Sequence, residues 1–297
     1  MEPIKVEFKF DGLAKLAETI SFALGGTARG ERKMADAKAY AAELEAITKN
    51  KVALIEAQGQ DVLANYIAAK EERKLRNTIA VIEKAQAHFT EGEKVSDEPV
   101  DEGWKNRFFG IVEEISDEEL REIWGCVLAG EVKKPKSYSL RTLEILRNTT
   151  KEEAAIIVKA APFVLKGMSL YKDKSLSMED NLVLREVGII LDEGLGLQYK
   201  WNIEKHKPFY TTLSELWVLG LHNDSENVIK CQPNVYKLST AGREIFNLVN
   251  VSEEDRQSFY KSLADTFREN GINRITLHKI VEKKGENTSF EEDGIEI

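Results

Sequence analysis

Lys133, Lys134 and Lys136 surround Pro135, and Arg141 and Arg147 follow on the helical stretch that opens at Leu140. That grouping suits an anion. Ammonium groups beside the free amides at the start of a helix are the usual holders of a phosphate. The same cations also suit an acidic protein surface. The surrounding charge sharpens the point: Glu91 to Glu122 carries twelve acidic and four basic residues, whereas Ile123 to Thr150 carries two acidic and five basic ones, so the chain changes sign at this loop. Lys133, Lys134, Lys136, Arg141 and Arg147 are therefore the candidate anion- or partner-binding set, with the acidic segment of a neighbouring subunit as an alternative to a small ligand.

Other groupings offer less chemistry. His88, His206, His222 and His278 are scattered singly, and Cys126 and Cys231 lie far apart, with no CxxC and no histidine beside them in sequence. That spacing predicts neither a metal site nor a disulfide framework, and the thiols read as reduced and buried. There is no Walker loop, GxGxxG, HExxH or GxSxG. The carboxylate pairs Glu113-Glu114 and Glu118-Glu119 sit on highly charged helices and read as solvated faces. No catalytic residue, cofactor or metal is expected, so the chain reads as non-enzymatic.

The elements that position the basic loop are helices. Ser116-Asp117-Glu118-Glu119 has a capping-box arrangement ahead of a helix through Leu128. On it, Trp124 and Leu128 lie one turn apart on one face, Gly130 is placed to end or tighten the helix, and Arg141 is within reach of Glu131. Trp124, Leu128, Gly130 and Glu131 thus read as a structural corner holding two helices at a fixed angle. Ser137 or Ser139 caps the Leu140 helix, and Thr149 or Thr150 caps the next, Glu152 to Val164. Together with Trp104 to Val112 these make a four-helix bundle.

Upstream, Glu31 to about Phe89 has no proline and one glycine in an Ala/Glu/Lys/Gln background. This predicts one very long, coiled-coil-like helix or two collinear ones. Its apolar rows repeat every eleven residues, Leu44, Ile55 and Tyr66 beside Ala41, Val52 and Leu63, a period that favours a straight or weakly right-handed coil. Such a stripe needs a partner helix, most simply from another copy of the chain. Leu44, Val52, Ile55, Leu63 and Tyr66 are the expected oligomerisation stripe. A row of Leu75, Ile79, Ile82 and Phe89 continues beyond it. Before it, Leu13 to Leu24 forms an amphipathic helix that packs on the protein's own core or, as an alternative, lies on a membrane surface.

Beyond the bundle, a helix near Met178 to Val187 gives way to the strand-like pieces LQYKWNI, NVIKCQP and NVYKLS. Leu213 to Leu219 reads as a short helix, Ile272 to Glu282 as a strand or short helix, and the acidic tail as loose. YKLSTAGREIFNLV resembles the strand-to-helix element of winged-helix-like domains. The expected fold is mainly α, with a long N-terminal helix, a central helical bundle and a small α+β winged-helix-like C-terminal part. Its segments are 1–30 (amphipathic), 31–90 (long helix), 91–103 (acidic linker), 104–170 (bundle), 171–284 (winged-helix-like) and 285–297 (acidic tail).

The motifs D-x-x-W-x-x-x-F-F, I-S-x-E-E-x-x-x-x-W, L-A-G-E and S-x-R-T-L-x-x-L-R-N, between Val100 and Ala155, resemble the central signature of an uncharacterised bacterial domain-of-unknown-function family. Trp124, Leu128, Ala129, Gly130 and Glu131 are more weakly similar to the abortive-infection alpha family of phage-resistance proteins. The first resemblance implies a shared fold and no particular activity. The second implies a setting in phage defence.

A net charge of -9 argues against a general polyanion binder. The N-terminus lacks the apolar core of a signal peptide, and no run approaches the ~20 apolar residues of a membrane span, so a cytoplasmic protein is expected. The leading functional expectation is a non-enzymatic, homo-oligomeric scaffold or sensor with an unknown protein partner, in bacterial anti-phage defence. The alternatives are a nucleic-acid-binding module using the winged-helix-like region and the basic cluster, and a membrane-associated effector using the N-terminal helix.

Overall fold

The computed structural model describes residues 15–20, 53, 61–90, 92–191, 197–284 and 287–297. Most of the expected 1–30 segment and of the long helix before residue 61, including Leu44, Val52 and Ile55, lies outside the described residues. The chain divides into two compact units, Met1–Arg147 and Asn148–Ile297.

The first unit is helical: α1 (Asp61–Ala87), α2 (Glu102–Val112), α3 (Glu118–Lys133) and α4 (Leu140–Asn148). The inner face of α1 carries Asn77, Thr78, Val81, Ile82 and Ala85, all buried, so of the expected row Ile82 and the following Phe89 are buried while Leu75 and Ile79 are half-buried. A helix shows its core whichever side chains the neighbours cover. Here that cover includes polar partners: Arg121 Nη2 donates to Asn77 Oδ1 at 2.9 Å, and Asn77 Nδ2 donates to the Glu113 carbonyl at 3.0 Å.

Asp117, not Ser116, caps α3, its Oδ1 accepting from the amides of Glu119 at 3.0 Å and Leu120 at 3.1 Å. Trp104 stacks on Phe108 with ring centroids 4.9 Å apart, and Phe108 meets Trp124 edge-on at 5.7 Å. Leu16 and Ile20, on the helical residues 15–20, are buried as well, and the Lys15 ammonium donates to the carbonyls of Ser96 and Glu98.

The second unit opens with α5 (Lys151–Ala160), capped by a reciprocal Thr150–Glu153 box, and continues with α6 (Met178–Glu186), α7 (Thr240–Phe246) and α8 (Glu253–Glu269) among short strands. The fourth helix of the expected bundle is thus part of this unit. Strands β1 (Val164–Leu165), β2 (Ser169–Tyr171), β8 (Asn234–Lys237) and β3 (Leu197–Gln198) form one antiparallel sheet in the order β1-β2-β8-β3. A second, in the order β10-β9-β6-β5, joins β5 (Phe209–Thr212), β6 (Trp217–His222), β9 (Arg274–Lys284) and β10 (Asn287–Phe290), with β11 (Ile295–Glu296) also on β9. Strands β4 (Trp201–Ile203) and β7 (Ile229–Cys231) pair with each other.

Phe259, Tyr260, Leu263, Ala264 and Phe267 of α8 pack into one core with Trp201, Leu219, Leu221, Cys231 and Ile275. Two expectations are corrected. The run expected to be a helix ending at Gly220 is instead the central strand β6, because pairing with β5 on one side and β9 on the other satisfies its backbone and buries both its faces. The acidic tail is not loose: β10 and β11 hydrogen-bond to β9, and the Arg268 guanidinium donates to the Ile297 carbonyl.

Candidate functional site

The basic loop is where the sequence places its best candidate, and the structure disperses the cations. Lys133 Nζ pairs with Glu93 Oε1 at 2.7 Å, donates to the His88 carbonyl at 2.6 Å and lies 5.2 Å from the centre of the Phe89 ring. That contact holds the Glu93 carboxyl below the usual carboxylate range. Lys136 pairs with Glu98, which raises its ammonium pKa. Lys134, Arg141 and Arg147 are exposed. The acidic segment that answers these lysines is the chain's own 91–103 stretch.

The loop is fastened from below. Glu131 is 2% exposed, and its Oε1 accepts from the Lys136 amide at 2.6 Å while its Oε2 accepts from the Tyr138 amide at 3.0 Å. A buried carboxylate bonded to two amides is a strong anchor, and it holds Lys136 in the left-handed region at φ 71°. Trp104 Nε1 donates to the Tyr138 carbonyl at 2.8 Å. Of the residues expected to form a corner, Trp124 and Leu128 are fully buried, and all four lie on α3. Gly130 does not end the helix, which runs on to Lys133; it makes room for Tyr138, whose ring carbon would lie 2.7 Å from any Cβ at that position.

A different set of side chains comes together where α1 ends against α3. His88 Nε2 lies 3.1 Å from Glu122 Oε1 and 3.1 Å from Cys126 Sγ. Glu122 and Cys126 are one helical turn apart and so share a face of α3. His88 reaches them because Gly125, between them, lets α1 approach: a Cβ on Gly125 would sit 2.5 Å from Lys84 Cβ and 3.0 Å from the Ala85 nitrogen. Lys84 Nζ spans Glu118 at 2.8 Å and the second Glu122 oxygen at 3.4 Å. His88 and Cys126 are half-buried and Glu122 is exposed, so solvent reaches the group. Burial and the Glu122 charge push the Cys126 thiol up, which favours its protonated form. Sequence reading missed this trio because His88 is distant along the chain. The one local trace was the Glu122–Cys126 spacing.

In the second unit, His222 Nε2, Thr276 Oγ1 and His278 Nε2 form a chain of 3.1 and 2.8 Å contacts, and His278 Nδ1 donates to the Glu291 carbonyl at 2.8 Å. Gly294 lies against the His278 ring, where a Cβ would be 2.5 Å away. Burial, aided by Arg274 and His278, holds the His222 pKa below its ordinary value. This chain fastens the C-terminal strands to β9. Of the expected oligomerisation stripe, Leu63 lies within α1 with its side chain outside the described residues, and Tyr66 is exposed.

Residues 63–177 match the family model described as Protein of unknown function (DUF2806). The DUF2806 match takes in the basic loop, the corner and His88, Glu122 and Cys126, and runs on to the start of α6. It therefore fits the resemblance to an uncharacterised family. No curated protein and no solved structure matches the chain. No helix among the described residues is long and apolar enough to cross a membrane.

Proposed function

We propose that the protein is a non-enzymatic scaffold or sensor of the bacterial cytoplasm that assembles with a second copy of itself through its long N-terminal helix and presents its other surfaces to a protein partner. The observation that carries this reading is the first part of α1. Tyr66 is 66% exposed and Ile67 37% exposed, although from Asn77 onward the same helix buries its inner row. Adjacent apolar side chains left in water that continue an apolar row along a helix offer surface to another helix. The eleven-residue row through Leu44, Ile55 and Tyr66 would offer a second copy the same surface in a coiled coil.

A role in anti-phage defence rests on the similarity of Trp124, Leu128, Ala129, Gly130 and Glu131 to abortive-infection proteins. The C-terminal part is read as winged-helix-like because β8 passes directly into α7, with Ser239 Oγ donating to the Gly188 carbonyl at 2.6 Å and Gly242 set against the Ile189 backbone. Nucleic-acid binding is the weaker reading, since Lys133 and Lys136 already answer Glu93 and Glu98. Membrane attachment is weaker still, since Leu16 and Ile20 are buried.

Size-exclusion chromatography with light scattering on the full chain tests the assembly. More than one copy is expected at micromolar concentration, with Tyr66→Glu/Ile67→Glu returning a folded monomer. A parent that runs as a clean 33.6 kDa monomer would overturn the reading.

A further inference from the structure

We propose that His88, Glu122 and Cys126 form a binding site for a single zinc(II) ion that ties the end of α1 to α3. Three donors of different kinds, an imidazole nitrogen, a carboxylate oxygen and a thiol sulfur, lie within 4.8 Å of one another. Their arrangement is convergent. Sγ and Oε1 each approach the same ring nitrogen, Nε2, at 3.1 Å. A thiol–imidazole–carboxylate relay for nucleophilic catalysis needs the carboxylate on the other nitrogen, Nδ1, to orient the ring. Here the carboxylate and the thiol both approach the same nitrogen, Nε2.

The distances suit the ion. Zinc bonds of about 2.3 Å to sulfur and 2.0 Å to nitrogen at tetrahedral angles set the S···N edge near 3.5 Å. The sulfur and nitrogen need to part by a few tenths of an ångström, within reach of side-chain rotation. Thiolate, imidazole and carboxylate are each ordinary zinc ligands, and three protein ligands leave a fourth position for water or an outside donor.

The surroundings support the ligands from behind. Lys84 holds the remaining Glu122 oxygen, and Lys133 holds the His88 carbonyl. Each lysine is itself answered by a carboxylate, Glu118 for Lys84 and Glu93 for Lys133, so neither is a bare charge opposing a cation. An outer partner on a ligating carboxylate, as Lys84 is for Glu122, is a regular feature of metal sites. On binding, the Cys126 S–H bond breaks, its proton goes to solvent and sulfur donates its electron pair to zinc; no electron is transferred.

The test uses the untagged full chain, stripped with chelator and titrated with zinc chloride by calorimetry, and with cobalt(II) as a spectroscopic stand-in. One ion per chain is expected. The cobalt form should show a thiolate-to-metal charge-transfer band and the intense visible bands of four-coordination. Cys126→Ser should abolish the charge-transfer band, and His88→Ala should weaken zinc binding by at least about a hundredfold, beyond the 10–100-fold cost of losing an outer partner. Cys231→Ser should change neither.

Thiol labelling of the folded parent is a second readout that needs no variant to fold. Stoichiometric zinc should slow modification of Cys126, and unchanged labelling at saturating zinc would overturn the site. So would the absence of one-to-one binding, or binding that Cys126→Ser and His88→Ala both leave intact. Assembly state does not enter any of these measurements, so failure here and failure of the scaffold reading are separate results.

Discussion

In the unit ending at Arg147, buried and half-buried polar groups do much of the positioning: Glu131 fastens a loop, Asn77 links α1 to Glu113 and Arg121, and Lys133 reaches across to Glu93 and His88. In the unit beginning at Asn148, an aromatic and aliphatic core under α8 does that work, with Trp201, Phe259 and Phe267 in ring contact with neighbours. The contrast reflects the elements. Helices satisfy their own backbone and leave their connections to be fixed by side chains, whereas paired strands fix one another through the backbone. Polar substitutions should therefore matter more in the first unit, and changes to the buried core should dominate the second.

The largest expected effect falls on the aromatic exception in the first unit. Trp124→Ala should destabilise it by about 3–5 kcal/mol, as truncation of a buried large aromatic does. Urea unfolding followed by circular dichroism reads this, and a midpoint like the parent's would mean that Trp124 is a surface contact.

The second effect belongs to the apolar core. Burial pushes the Cys231 thiol from 9.0 up to about 11. The folded state holds that proton more tightly than the unfolded chain does. Its contribution is complete below the unfolded pKa and is lost as pH rises through the folded one, about 2–3 kcal/mol between pH ~9 and ~11. Cys231→Ala should remove that portion of the alkaline decline, and identical pH slopes for parent and variant would refute it.

Next comes the loop anchor. Glu131→Ala leaves two loop amides without their acceptor and should cost about 2 kcal/mol, with faster proton exchange at the Lys136 and Tyr138 amides. Thr150→Ala removes one half of the α5 capping box and should cost about 1 kcal/mol, seen as a small fall in melting temperature. Smallest is Lys136→Gln. Its pair with Glu98 is solvent-exposed, and surface pairs contribute little, so the unfolding midpoint should stay where it is. A clear drop would show that the loop depends on charge rather than on Glu131.

Much of this was readable locally. The helices around Trp104, Trp124, Leu143 and Met178 follow from apolar spacing, and the start of α5 follows from Thr150, a cap whose chemistry acts within three residues. The reading slipped where two neighbouring residues were both suitable caps, as with Ser116 and Asp117. It failed at Trp217–His222, because a short apolar run has no period long enough to choose between helix and strand. Gly130 was read as ending or tightening the helix, whereas the helix runs on past it and the glycine admits the Tyr138 ring, a contact made by a residue beyond the end of the helix.

The sequence by itself determined what depends on near neighbours: where helices begin, the reversal of charge at the lysine loop, and the shared face of Trp124 and Leu128. Only the tertiary structure decided which carboxylates answer Lys133 and Lys136, that β10 and β11 are held on β9, and that His88 meets Glu122 and Cys126. These arrangements depend on how closely elements distant in sequence approach, and at His88 that approach is set by the missing Cβ of Gly125 against the α1 backbone. Spacing along a chain carries no record of such distances.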